Sequence, residues 1–383
     1  MKIQLIKLAA LLLLATLNSR LSTLHAQGSL TPPGTPAPTM KTLDQIDAKL
    51  EKRTPISSLP FTISQSGSYY LTTNLTSGSF NYGILVLADN VTIDLNGFAL
   101  IGVVNSFSGI GFFGQKNLCV RNGTIRNWDN DGILASPSFN SRFEDLFLTD
   151  NTTGGLLADH NALVHACMVS SNGGTGMQVG DGSHVSQCTA QTNFGYGFLI
   201  GRACTVTECA AVANTSIGIY AGDGSTLSGL TAFGNGSNGI TTGDGCSVQG
   251  CTSFGNRGDG VHVSSGCTIR GCTVRSNQVN GLFVDRRCLV IDNLCDQTGV
   301  TNATSTGVLA NREKNRIESN HLIAGSFFVG STNLFIRNTI DSGGALGIGT
   351  MIGPYIYFGA GNGTDGAGTI TNNNPWANIR IGN

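Results

Sequence analysis

The side chains best suited to chemistry gather between Tyr220 and Arg286, and they recur at a fixed interval. His262, Asp259 and Asp285 supply an imidazole and two carboxylates, groups that commonly give and take protons during a reaction. Asp244, Arg257 and Arg286 add charge of both signs, while Tyr220 and Phe283 add rings whose faces suit stacking on sugars. A base beside an arginine suits proton abstraction next to a carboxylate, as in a polysaccharide lyase. Paired carboxylates about 5–10 Å apart suit glycoside hydrolysis instead. The set serves either reaction, so His262, Asp259 and Asp285 are candidate catalytic groups with no choice made between the two. For His262 alone, an exposed histidine without catalytic duty is the plainer alternative, because a base needs a partner geometry that sequence does not carry. Asp223 and Asp244, each in a Gly-Asp-Gly triplet and 21 residues apart, are a candidate Ca2+ pair, although tight turns explain the same triplets. A second acidic group, Asp129, Asp131, Glu144, Asp145, Asp150 and Asp159, is open to Ca2+ binding or to solvated loops.

A repeat positions these residues. Glycines stand at 83, 109, 132, 155, 176, 197, 218, 239, 260, 281 and 307, and the six intervals from Gly155 to Gly281 are all 21 residues. The residue after each of those seven glycines is apolar (Leu156, Met177, Phe198, Ile219, Ile240, Val261, Leu282), and so is the ninth, from Val164 to Val290. The third is apolar or small, and a spacing of two is the period of a strand with one face inside. Short strands between Gly-rich bends predict a coil that stacks in-register turns about 4.8 Å apart, so that roughly eleven turns span ~50 Å. A leucine-rich repeat would need a leucine framework, and a propeller blade about twice the period. Asparagines at 172, 193, 214, 235, 256 and 277 fill one column, with Asn105 and Asn151 at the same distance before their glycines. Asn tolerates the left-handed backbone of a sharp bend, and stacked amides bond from turn to turn, so the column predicts an Asn ladder.

On such a coil the second residue after each glycine points outward. That column reads Leu134, Leu157, Gln178, Leu199, Tyr220, Thr241, His262, Phe283 and Leu309, an apolar and aromatic strip for an exposed face. Exposed apolar strips mark interaction sites. The strip is either a groove for an extended ligand or a face covered by the C-terminal tail or a partner chain, which leaves oligomerisation open.

Eleven cysteines are the other conspicuous chemistry, as in the consecutive lines "GITTGDGCSVQGCTSFGNRGD" and "GVHVSSGCTIRGCTVRSNQVN". Cys204, Cys246, Cys267 and Cys288 share one column with Ser183 and Ser225, and Cys167, Cys188, Cys209, Cys251 and Cys272 share another with Leu230. Exchange with Ser and Leu suits small interior positions. Neighbours in a column are one strand spacing apart, longer than a relaxed disulfide prefers. Interior free thiols are expected, with some disulfides the alternative; the Cys-x4-Cys spacing lacks a zinc knuckle.

At this point the chain resembles the right-handed parallel β-helix proteins of the pectate-lyase-like superfamily, over about Phe61 to Asn338. The segment "SGSYYLTTNLTSGSFNYGILVLADNVTIDLNGFALIG" looks like the first turns of such a helix. The resemblance implies an all-β, single-stranded right-handed parallel β-helix of roughly eleven turns of 21–26 residues with a short N-terminal capping helix. It implies no activity, since the architecture hosts lyases, hydrolases, epimerases and adhesive stalks. The Asn-Thr-Asp, Asp-Asp, Gly-His-Gly and Arg-Ile-Lys set of polygalacturonases does not occur here, nor does a tract matching a pectate lyase's calcium aspartates.

Composition bounds the rest. Charged residues make up 12% of 383, the net charge is −1, and 53 glycines and 40% hydrophobic residues fill the difference. Nucleic acid and anionic membrane both need clustered cations, so neither is an expected partner. Lys2 and Lys7 before an apolar run from Leu8 to Leu17, with Ala26 as a small cleavage residue, read as a signal peptide over 1–26. No later run is long enough to span a membrane. Residues 27–40 read as a Pro-rich linker, 41–55 as the capping helix with Leu43, Ile46 and Leu50 on one face, 56–340 as the β-helix and 341–383 as an irregular C-terminal cap closed by Trp376. The expected protein is secreted, periplasmic or on the cell surface, and binds or processes polysaccharide along its face. The alternatives are a non-catalytic structural or adhesion protein and, less favoured, a metal-handling accessory protein.

Overall fold

The computed structural model describes residues 53–300, 306–323, 327–329, 333–341, 346–348 and 379–381. These residues form a parallel β-solenoid, in which strands between the two ends pair with the corresponding strands of the turns before and after. A representative turn has strands Ile240–Thr242, Ser247–Gln249 and Thr252–Phe254, each three residues long and separated by a bend. The first strand of each turn joins a 14-stranded sheet; the second and third join a 26-stranded sheet that covers the other two walls. Eleven strands of the smaller sheet follow the eleven repeat glycines. Phe61–Ile63 precedes them, and Phe327–Val329 and Leu346–Ile348 follow.

Pairing is in register across the turns. Ile219 faces Ile240, Val261 and Leu282 in succession, and all four are fully buried. The second wall buries Val248, Ile269 and Val290, and the third buries Ala232, Ser253 and Val274. One continuous apolar core therefore runs along the axis. Each turn covers the apolar side chains of the next, so no turn buries its core alone.

The repeat glycines have a steric rather than a torsional reason. A Cβ on Gly176 would meet Asn193 Nδ2 at 2.6 Å and the Gly197 carbonyl oxygen at 2.8 Å; on Gly260 it would meet Asn277 Nδ2 at 2.5 Å and the Gly281 carbonyl oxygen at 2.7 Å. The asparagine column packs against this spot. Asn214 Oδ1 accepts the main-chain N–H of Asn193 at 3.1 Å and its amide at 2.9 Å. Asn214 Nδ2 in turn donates to the Ala190 carbonyl and to Asn235 Oδ1, both at 3.0 Å. The same pattern runs from Asn151 to Asn256, and Asn277 passes it to Gln297. The left-handed backbone expected of these asparagines falls one residue earlier, at Ser171, Thr192, Ala213 and Ser276. The amide, not backbone tolerance, selects Asn. At its N-terminal end the ladder stops because Trp128 takes the next position, with its ring in the space left by Gly83, Gly102 and Gly109.

All eleven cysteines are free thiols, ten of them buried and Cys119 half-buried. They perform the same bonding as the asparagines. The main-chain N–H of Cys246 reaches Cys267 Sγ at 3.3 Å, and that thiol donates to the Gly243 carbonyl at 3.2 Å. Serine and asparagine take over the role elsewhere: Cys204 N–H donates to Ser225 Oγ, Cys272 N–H to Asn293 Oδ1 and Cys288 N–H to Asn315 Oδ1. Burial pushes the thiols of Cys204 and Cys295 above the ordinary range, which suits inert interior groups.

The expected signal peptide and linker lie outside the described residues, as do residues 41–52 of the expected capping helix and Trp376. At the end of that stretch Thr54–Ile56 is a strand paired with Tyr69–Leu71, in keeping with the extended backbone that Pro55 imposes on its predecessor. Past residue 340 the expected irregular cap is described only at its strands. Leu346–Ile348 continues the 14-stranded sheet and Ile379–Ile381 pairs with Thr339–Asp341. No helix among the described residues is long and apolar enough to cross a membrane.

Candidate functional site

The outward strip is one unbroken register column of the 14-stranded sheet. Leu134 pairs with Leu157, Leu157 with Gln178, and so on through Leu199, Tyr220, Thr241, His262 and Phe283 to Leu309. All of these side chains are half-buried except Gln178, which is exposed. Regular alternation forces them outward because their neighbours on each strand fill the core.

Polar chemistry concentrates at one rung. His262 Nδ1 lies 2.8 Å from Asp259 Oδ2; the histidine side chain is 31% exposed and the aspartate 8%. A carboxylate so buried needs partners, and it has them. Asp259 Oδ1 accepts the Asn280 side-chain amide at 2.7 Å and the Asn280 main-chain N–H at 3.1 Å, while the Asp259 N–H donates to Asn238 Oδ1 at 2.8 Å. The His262 ring stacks on Phe283 with centroids 4.1 Å apart and planes 7° apart. One face of Phe283, a ring that the sequence offers for stacking on a sugar, is thus covered by the His262 imidazole. Tyr220 packs edge-on against Tyr196 at 6.3 Å.

The remaining candidates are dispersed around this rung. Asp285 binds Arg312 Nε at 3.1 Å and accepts Ser265 Oγ at 3.0 Å, so its charge is already matched and it does not join the Asp259–His262 pair. Arg286 is exposed, with Nε 3.4 Å from Ser265 Oγ. Arg257 is exposed on the bend ahead of the His262 strand. Asp244 Oδ1 accepts the Ser265 N–H at 2.9 Å and Asp223 Oδ1 accepts the Asp244 N–H at 2.9 Å, with Arg202 Nε 3.7 Å from Asp223 Oδ2. These aspartates bridge successive bends whose next residues, Gly224 and Gly245, have φ of 68° and 65°, the left-handed region that glycine favours. Among the described residues no three His, Cys, Asp or Glu side chains converge as a metal ion would require.

The second acidic group is likewise spread out. Asp129 accepts the Asn105 N–H and the Thr152 hydroxyl, Asp159 lies 3.4 Å from His160, and Glu144 pairs with Arg142. Asp131 is the exception, because burial pushes its carboxyl up to about 6 while the Gly154 N–H pulls it down. It occupies the same position before its repeat glycine as Asp259, but Leu134 stands where His262 would be. The sequence reading missed Asn238, Asn280 and Thr306. Their signal is the residue before each glycine, which runs Asn238, Asp259, Asn280 and Thr306 on four successive turns.

Comparison with known proteins agrees with this architecture. The family described as the right-handed β-helix region matches residues 61–211 and 200–293, and the chain belongs to it. No curated protein sequence matches the chain. Among solved structures, the A-module of mannuronan C-5 epimerase AlgE4 from Azotobacter vinelandii is 15% identical, covers 74% of this chain and 91% of its own, and superposes with a TM-score of 0.46. The catalytic domain of a GH87 α-1,3-glucanase is 11% identical, with coverages of 76% and 71% and a TM-score of 0.47.

Proposed function

We propose that this protein binds an extended extracellular polysaccharide along the outward column of the 14-stranded sheet, and that Asp259 and His262 mark the point where the polymer is processed. The observation that carries the reading is a half-exposed histidine fixed by a buried carboxylate in the middle of an apolar outward strip. Tyr220, Phe283, Arg257 and Arg286 line or flank that stretch, and they would meet sugar hydroxyls, ring edges and carboxylates. A column of in-register side chains suits a repeating polymer better than a compact ligand, because successive turns offer contacts at a constant rise of about 4.8 Å. The apolar run after Lys7 supports action outside the cytoplasm.

A glycan array read for retention and for new reducing or unsaturated ends tests the proposal. Retention of a polymer, reduced in Tyr220→Ala and Phe283→Ala, supports binding; new chain ends that disappear in His262→Ala support processing. Retention with no new ends on any polymer removes the catalytic half. Absence of retention altogether removes the polysaccharide reading and favours a structural role.

A further inference from the structure

A chain of polar side chains from three successive turns ends on His262. Thr306 Oγ1 donates to Asn280 Oδ1 at 2.6 Å. With that oxygen occupied, the Asn280 amide nitrogen donates to Asp259 Oδ1 at 2.7 Å, and the main-chain N–H of Asn280 reaches the same oxygen at 3.1 Å. Asp259 Oδ2 then faces His262 Nδ1 at 2.8 Å. An ionised carboxylate only accepts, so the neutral imidazole carries its proton on Nδ1 and its lone pair on Nε2. The ring cannot tilt freely, because Phe283 lies parallel to it at 4.1 Å. Nε2 makes no hydrogen bond within the described residues.

Neighbouring turns show that the arrangement is particular to this rung. One turn earlier, Asn238 Nδ2 donates to Thr241 Oγ1 at 3.2 Å, a neutral pair in the same two columns. Asp131 repeats the acid but has no histidine to orient. Among the described residues, only at Asp259 do a buried carboxylate, an imidazole and a two-residue support coincide.

We infer that Asn280 and Thr306 are positioning residues for His262: acting through Asp259, they hold the imidazole as the Nδ1–H tautomer with Nε2 presented as an acceptor to a sugar hydroxyl or an acidic C–H. The purpose of this geometry rests on the reading of the face as a polysaccharide site. The support works by orientation. If Asn280 were lost, Asp259 would keep the main-chain bond and lose the side-chain one, and its carboxylate would be free to rotate away from Nδ1.

Nitrogen-15 NMR of the full chain, labelled at histidine, tests this. His262 signals are identified by their loss in His262→Gln. The wild-type neutral ring is expected to show a protonated Nδ1 and a bare Nε2. Asn280→Ala is expected to lower the ratio of Nδ1–H to Nε2–H roughly tenfold, the effect of losing one hydrogen bond to a charged group; Thr306→Val, which loses a neutral bond to Asn280, is expected to lower it about threefold, and Thr306→Ser is expected to restore it. A purely structural role would lower the unfolding temperature and leave the ratio untouched. If Asn280→Ala fails to fold, the Thr306→Val and Thr306→Ser pair decides. A wild-type ratio in folded Thr306→Val, or a wild-type ring protonated on Nε2, overturns the inference. Failure to retain any glycan would sink the polysaccharide reading while leaving these spectra unchanged.

Discussion

Replacing Asn214 by alanine tests the ladder at its centre. Asn193 and Asn214 are at most 1% exposed, so water cannot substitute for a lost partner. The change removes Asn214 Nδ2, whose acceptor Asn235 Oδ1 keeps the Asn214 main-chain N–H, and Asn214 Oδ1, whose loss leaves two buried donors without an acceptor: the Asn193 main-chain N–H, bonded at 3.1 Å, and one Asn193 amide hydrogen, bonded at 2.9 Å. Each buried group left unsatisfied costs about 1–3 kcal/mol, so the two together cost roughly 2–6 kcal/mol. The lost bonds also join one turn to the next, and in a repeat protein such coupling holds neighbouring units in a single cooperative transition. Denaturant unfolding followed by circular dichroism reads both effects: the midpoint falls, and the transition broadens if the turns on either side separate. The adjacent exposed Thr215→Ala is the control, with a change within about 0.5 kcal/mol. An Asn214→Ala midpoint indistinguishable from that of Thr215→Ala would refute the claim that the ladder couples the turns.

Three further outcomes follow from the same geometry. Cys272→Ser should fold with close to wild-type stability, because a hydroxyl can take over the donation at 3.5 Å to the Arg270 carbonyl, whereas Cys272→Val removes that bond; equal stability of the two would show the thiol to be packing alone. Reaction of the native protein with a thiol reagent should modify at most Cys119 at an appreciable rate until denaturant is added, and rapid labelling of several thiols would contradict the interior placement. Burial raises the Asp131 carboxyl from 3.8 to about 6, so the folded state keeps a proton that the unfolded chain has released, and stability falls as pH rises through that window. Asp131→Asn should abolish this dependence and gain about 3 kcal/mol at neutral pH, given ~1.4 kcal/mol per unit, and a variant no more stable than wild type in thermal unfolding near pH 7 would refute it.

Most of the fold is legible in the sequence because stacking imposes translational order. When every turn must cover the one before, the same side-chain requirement returns after 21 residues, and columns such as Ile219, Ile240, Val261 and Leu282 display it directly. The site is less legible, because its organisation depends on which way a side chain leans within a column. Asp285 and His262 are close in the repeat grid, yet Arg312 and Ser265 claim the aspartate. Asn280 and Thr306 look like ordinary residues before a glycine until their amide and hydroxyl are seen to converge on Asp259. In the sequence both ring faces of Phe283 look available for the same reason. Column membership gives the 4.1 Å approach of His262 but not the parallel orientation that closes one of them.

The hydrogen bonds between turns, parallel to the axis throughout, also fix how this molecule bears tension. A pull applied between the two ends loads the rungs in series, so the weakest rung yields first and the rest of the rod remains intact. Between Gly155 and Gly281 each failure releases one turn of 21 residues, a lengthening of about 70 Å at ~3.4 Å per residue. A coil built this way lengthens in discrete steps and dissipates work at each one, as a series of mechanical fuses rather than a single latch.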